Sequence, residues 1–129
     1  MPPSKSRQLE KDIVKEIRRF LDLKGVFVFK VNNYAMPRAN GRMVFHGDHG
    51  IPDICGMTKS GRFLGIEVKT KIGRQSEHQK LFEKRCLANG GIYILARSVD
   101  DLIVRSEIFS NEVNDATGAN TGSTLTETF

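Results

Sequence analysis

Gly50-Ile51-Pro52-Asp53-Ile54-Cys55-Gly56-Met57-Thr58-Lys59-Ser60-Gly61-Arg62-Phe63-Leu64-Gly65-Ile66-Glu67-Val68-Lys69-Thr70 is the stretch on which the reading of this chain turns. Residues Ile51 to Met57 and Arg62 to Thr70 are short segments rich in β-branched and aromatic side chains, joined by Lys59-Ser60-Gly61; they read as two strands of a hairpin. A three-residue hairpin loop commonly combines a type I turn with a final left-handed residue, and Gly61 occupies that last place. Thr58 then faces Arg62, and counting outward pairs Asp53 with Glu67. Their Cβ atoms would stand roughly 4.5 to 5.5 Å apart. Alternation along the strands puts Lys69 on the same face and turns Ile54, Leu64, Ile66 and Val68 to the opposite, apolar one.

Like charges directly opposed destabilise a hairpin unless something compensates them. A hard divalent cation, Mg²⁺ or Mn²⁺, would do so, held by Asp53, Glu67 and the backbone carbonyl of Val68, with room left for water and a phosphate oxygen. The other reading is an edge hairpin whose exposed acids are neutralised by Lys69.

Upstream, Leu9, Ile13, Val14, Ile17, Phe20 and Leu21 recur with helical spacing between Ser6 and Lys24, and Gly25 follows as the terminating residue. At about 100° per residue, Glu10 falls inside this apolar stripe while the other charges of the helix lie on other arcs. An inward carboxylate needs a partner: Glu10 is a third acid of the metal cluster, directly or through water, or else it reaches the surface or pairs with a lysine. Val26 to Val31 reads as a first strand. Asn32 to Gly50 is long for a connection and carries the hairpin signal Asn40-Gly41, so a small basic flap is expected there.

Downstream, Ser76 opens a second helix running to about Asn89, Gln79 completes a capping box with it, and Gly90-Gly91 ends it. Ile92 to Ala96 is a fourth strand, after which Ser98 is expected to cap a short helix containing Leu102, Ile103, Ile108 and Phe109. The order α-β-β-β-α-β-α specifies an α/β domain, a mixed central sheet flanked by helices, over residues 1–110. Residues 111–129, with many Thr, Gly, Asn and Ser, read as a disordered, acidic tail.

The chain has 129 residues, 39% hydrophobic and 27% charged, which suits one domain. Its apolar runs are far shorter than the roughly 20 residues of a membrane-spanning helix. The opening residues lack the apolar segment of a secretory signal, so a cytoplasmic location is expected. Cys55 and Cys86 lack the spacing of zinc ligands or a redox dithiol. Residues 1–110 hold all 20 Lys and Arg against 12 Asp and Glu, a net charge of +8 against +5 for the whole chain. A polyanionic partner, nucleic acid above all, fits that excess; so does a well-solvated surface.

Gly50-Ile51-Pro52-Asp53 followed by Glu67-Val68-Lys69 resembles the signature of the PD-(D/E)XK nuclease superfamily. Glu10, Phe29-Lys30-Val31-Asn32-Asn33, Gly65-Ile66-Glu67-Val68-Lys69-Thr70, Gln75-Ser76-Glu77-His78-Gln79 and Gly91-Ile92-Tyr93 together resemble its VRR-NUC domain, over roughly residues 7–105, of the stand-alone bacterial or phage type. The resemblance implies a restriction-endonuclease-like core and a Mg²⁺- or Mn²⁺-dependent DNA endonuclease, with members acting as homodimers on branched DNA such as Holliday junctions. It also implies a site built from Asp53, Glu67, Lys69, Glu10 and Gln79. Lys69 would orient the attacking water or stabilise developing negative charge. Gln79 either positions water or phosphate or serves only its capping box. Lys30, Asn33, Arg38, Arg42, Lys71 and Arg74 are placed to grip phosphates. Two rival readings remain: a non-catalytic basic DNA-binding module, and an HNH-like metal hydrolase using His46 and His49 with Asp48.

Overall fold

The computed structural model describes residues 5–31, 34–46 and 48–109, with side chains for 9–31, 36–43 and 48–109. Its central hairpin forms as the turn glycine dictates. Gly61 has φ 89°, its N–H donates to the Thr58 carbonyl at 2.9 Å, and the Thr58 N–H donates to the Arg62 carbonyl at 2.9 Å. Strands β4 (Ile54–Met57) and β5 (Phe63–Val68) pair antiparallel with Met57 opposite Phe63 and Ile54 opposite Ile66. This is the expected register, and one further step brings Asp53 to Glu67. Strand β4 starts at Ile54 rather than Ile51; Pro52, just upstream, has no N–H to give a ladder.

Strands β1 (Phe27–Phe29) and β6 (Ile92–Ala96) complete a four-stranded sheet in the order β1-β4-β5-β6, with β6 parallel to β5. One face carries Ile54, Leu64, Ile66, Val68, Ile92, Ile94 and Ala96, and it packs against Ile17 and Leu21 of α1 (Lys5–Leu23) and against Leu102 and Phe109. Ile17, Leu21, Leu64, Ile66 and Leu102 are fully buried. Burying each such side chain contributes about 1.5–3 kcal/mol, and this layer is the core. Helix α1 ends in a Schellman arrangement, with Gly25 at φ 70° and the Val26 N–H donating to the Leu21 carbonyl.

Helix α2 (Glu77–Ala88) lies over the other face, where Phe82 meets Phe63 and Tyr93. The flap is a two-stranded ribbon, β2 (Tyr34–Pro37) against β3 (Met43–His46), so the element order gains two strands over the sequence reading. Its turn repeats the geometry of the central one: Arg38 and Arg42 close the loop, the Gly41 N–H donates to the Arg38 carbonyl, and Gly41 sits at φ 85°.

The expected Ser98 cap is not what forms. Helix α3 (Asp100–Ile103) begins after Val99 with no side-chain cap. The Asp101 carboxylate instead accepts the Arg97 N–H at 2.8 Å, and the Ser98 carbonyl, not its hydroxyl, takes the Asp101 N–H. A separate 3-10 turn, Ser106–Phe109, follows. The tail expected at 111–129 lies outside the described residues. No helix among the described residues is long and apolar enough to cross a membrane.

Candidate active site

Among the described residues, Glu67 is the one charged side chain that is fully buried, 2% exposed. Strand alternation turns it away from Ile66 and Val68 toward the face that α2 covers, and this explains how a carboxylate near the end of β5 comes to be buried. Its two oxygens have different surroundings. Oε2 accepts from the Gln79 side-chain amide at 2.8 Å and lies 3.3 Å from the Lys69 ammonium. Oε1 is buried with no hydrogen-bond partner among the described residues. Leaving a charged oxygen so placed is costly. Burial is the main force pushing the Glu67 carboxyl up to about 7, the Asp53 carboxylate adds to it, and Lys69 opposes both.

Asp53 is exposed, just before β4. Its Oδ2 accepts the Val68 N–H at 2.8 Å, a bond across the two strands that holds this carboxylate beside Glu67. Val68 sends its side chain into the core and its N–H to Asp53, and its carbonyl falls between Glu67 and Lys69 in the chain. The Lys69 N–H donates to the Ala96 carbonyl at 3.0 Å, which extends the parallel pairing and anchors the lysine's backbone.

Gln79 forms the expected capping box and also makes a bond the sequence did not show, to Glu67. Its Oε1 accepts the Ser76 N–H at 2.8 Å and its own N–H donates to Ser76 Oγ at 3.2 Å, a complete capping box. The amide nitrogen that remains donates to Glu67. One planar amide therefore starts α2 with one end and binds the buried carboxylate with the other.

The structure thus gathers Asp53, Glu67, Lys69 and Gln79. Glu10 is half-buried on α1 and forms no hydrogen bond or ion pair among the described residues. Among the described residues no group of three or more His, Cys, Asp or Glu side chains is assembled to hold a metal; Asp53 and Glu67 stand side by side. Lys30, Arg38, Arg42, Lys71 and Arg74 are all exposed: Lys30 just beyond β1, Arg38 and Arg42 at the flap turn, Lys71 and Arg74 in the connection from β5 to α2. Asn33 lies outside the described residues, as does the side chain of His46. His49 stacks on His78, ring centroids 4.6 Å apart.

Two arrangements escaped the sequence reading. Arg97 donates through one guanidinium nitrogen to the carbonyls of Thr70, Lys71 and Gly73, at 2.6, 3.3 and 2.8 Å, pinning the connection that follows Lys69. Gln75 donates to Glu83 at 3.0 Å and to the Tyr93 hydroxyl at 3.2 Å beneath α2, and burial pushes the Tyr93 phenol up. The partners of Arg97 are main-chain carbonyls, which no side-chain motif announces.

The fold belongs to the mixed α/β class with a carboxylate pair, an ammonium and an amide at the edge of its central hairpin. Among solved structures, one described as a VRR_NUC domain superposes with a TM-score of 0.57 at 21% identity, covering 77% of this chain and 95% of the other. That likeness establishes the restriction-endonuclease-like fold that the sequence resemblance implied. No family model matches the chain, and no curated protein matches it.

Proposed function

We propose that this protein is a VRR-NUC-type nuclease, a divalent-metal-dependent endodeoxyribonuclease that hydrolyses phosphodiester bonds. The observation that carries the proposal is the orphaned Oε1 of Glu67 beside the Asp53 carboxylate. A buried, unpartnered carboxylate oxygen next to a second carboxylate fits a hard cation, for which oxygen donors are the preferred set. Asp53, Glu67 and the Val68 carbonyl would hold Mg²⁺ or Mn²⁺. When bound, such an ion supplies Lewis acidity toward the scissile phosphate and lowers the pKa of water.

The rest of the chemistry belongs to the chain. Gln79 fixes Glu67 by its Oε2, leaving Oε1 as the donor oxygen. The Val68 N–H fixes Asp53 in the same way. Lys69, 15% exposed at its side chain, holds an ammonium beside the carboxylates, where it stabilises the negative charge that develops on the phosphate. Glu10 enters as an outer carboxylate acting through water, and Lys30, Asn33, Arg38, Arg42, Lys71 and Arg74 as phosphate contacts. Action on branched DNA such as Holliday junctions, a homodimer and a cytoplasmic site of action, in a bacterial or phage-infected cell, are part of the proposal through the resemblance.

The test is a cleavage panel of duplex, nicked, flap and four-way DNA with Mg²⁺ or Mn²⁺. Cutting of a branched substrate that stops with chelator is the expected result. Binding without cutting of any member would favour the non-catalytic DNA-binding module.

A further inference from the structure

A cleft of about 480 Å³, within the usual range for small-molecule sites, is lined by residues that neighbour the carboxylate cluster in the chain. The two segments that build it also carry two members of the cluster. His49 comes four residues before Asp53, and His78 immediately precedes Gln79. The segments are locked together: Gly50 has φ 84°, and a Cβ there would overlap the His78 carbonyl. Their imidazoles stack at 4.6 Å with planes 23° apart, and both residues are exposed.

Along α2, His78, Leu81, Phe82 and Arg85 follow the i, i+3, i+4, i+7 pattern that lines one helix face, a stripe about 10 Å long. All four line the cleft, with Asp48 across from them in the chain segment that carries His49. The cleft therefore offers a ring stack, an apolar wall, a cation and a carboxylate acceptor. Stacked rings present faces, not converging nitrogens, and no three-ligand metal group exists among the described residues. A planar, heteroaromatic guest bearing N–H donors and an attached anion matches each of these features.

We propose that this cleft receives an unpaired nucleobase of the DNA strand whose backbone lies at the carboxylate cluster, a subsite that rests on the nuclease reading of that cluster. The base stacks on the imidazole pair and lies along Leu81 and Phe82. Its exocyclic amine donates to Asp48, and Arg85 pairs with the neighbouring phosphate. A base inside a duplex cannot enter without leaving its partner, so the cleft selects for DNA with unpaired nucleotides next to the cut.

The experiment measures affinity of the full chain, by fluorescence anisotropy in EDTA, for a single-stranded oligonucleotide and for the duplex of the same sequence. Three proteins are compared: wild type, His49→Ala/His78→Ala and His49→Phe/His78→Phe, each checked for folding by circular dichroism. Stacking of one base predicts that the alanine pair loses about tenfold or more in single-strand affinity, with a clearly smaller loss on duplex, and that phenylalanine restores most of it. Equal losses on both DNAs, no loss on either, or a folded phenylalanine pair that fails to restore binding would each overturn the proposal. Should the alanine pair unfold, His78→Ala alone replaces it, since this exposed helical position accepts alanine. A wild type that shows the single-strand effect but cuts nothing with Mg²⁺ or Mn²⁺ removes the nuclease reading and keeps the base cleft. A wild type that cuts but shows no such effect removes only the cleft.

Discussion

Glu67 concentrates the electrostatic cost of this fold in one side chain. Its carboxyl is pushed up from 4.5 to about 7, chiefly by burial and then by Asp53. Between those values the native protein holds a proton that the unfolded chain has released, so this group's contribution to stability is complete below about pH 4.5 and is lost as pH rises through about 7. Metal-free protein titrated with urea should therefore show a midpoint that declines over this window, and Glu67→Gln should flatten the decline. Gln79 can be tested by splitting its two roles. Gln79→Glu keeps an acceptor for the Ser76 N–H but sets a carboxylate against Glu67, whereas Gln79→Ala removes both bonds and about 1 kcal/mol of helix stability. Cleavage should fall about 10–100-fold in both variants. Both variants should melt lower, but the glutamate variant's loss should shrink at acid pH, where the facing carboxyls are protonated, whereas the alanine variant's capping loss should persist.

At the scale of elements, the central hairpin was legible because its register depends on one local event, the left-handed Gly61, and alternation does the rest. The flap was legible in the same way from Asn40-Gly41, whose loop forms the same closure as Lys59-Ser60-Gly61. The start of α3 was not legible. Ser98 has the right residue type for a cap, but the Asp101 carboxylate reaches back to the Arg97 N–H and takes over that corner. Gln79 was half legible: its spacing from Ser76 reveals the capping box, but which way the free amide nitrogen points depends on how α2 crosses the sheet. The Arg97 clamp is the element-scale feature with a consequence for the site. Three carbonyls of the Thr70–Gly73 connection share its guanidinium, so Arg97→Ala should free that connection and speed amide hydrogen exchange at Lys71 to Gly73. Hydrogen bonds from charged donors support a loss of about 1.5–3 kcal/mol of stability, read as a shift in urea midpoint. Arg97→Lys should recover only part, because all three bonds come from one terminal nitrogen and the lysine ammonium, though it has three N–H donors, sits one bond closer to the backbone.

Over the whole molecule, α1 and α3 close one face of the sheet and α2 the other, with Glu67 buried on the α2 side and Asp53 exposed beside it. The exposed Arg38 and Arg42 of the flap turn and Lys71 and Arg74 beyond β5 belong to a region carrying +8 over residues 1–110. DNA affinity should fall steeply with salt, and Arg38→Ala/Arg42→Ala should lower the slope of log affinity against log salt by about 2 if both touch phosphate. The claim on which the rest depends is that Asp53 and Glu67 serve the chemical step and not merely binding. Single-turnover cleavage of the preferred DNA by wild type, Asp53→Asn and Glu67→Gln, with Mg²⁺ and with EDTA, tests it most directly when affinity is measured on the same samples. The account predicts that either substitution or the chelator lowers the rate by about a hundredfold or more while affinity stays within a few-fold. Cleavage that survives both substitutions, or a loss confined to affinity, would contradict it.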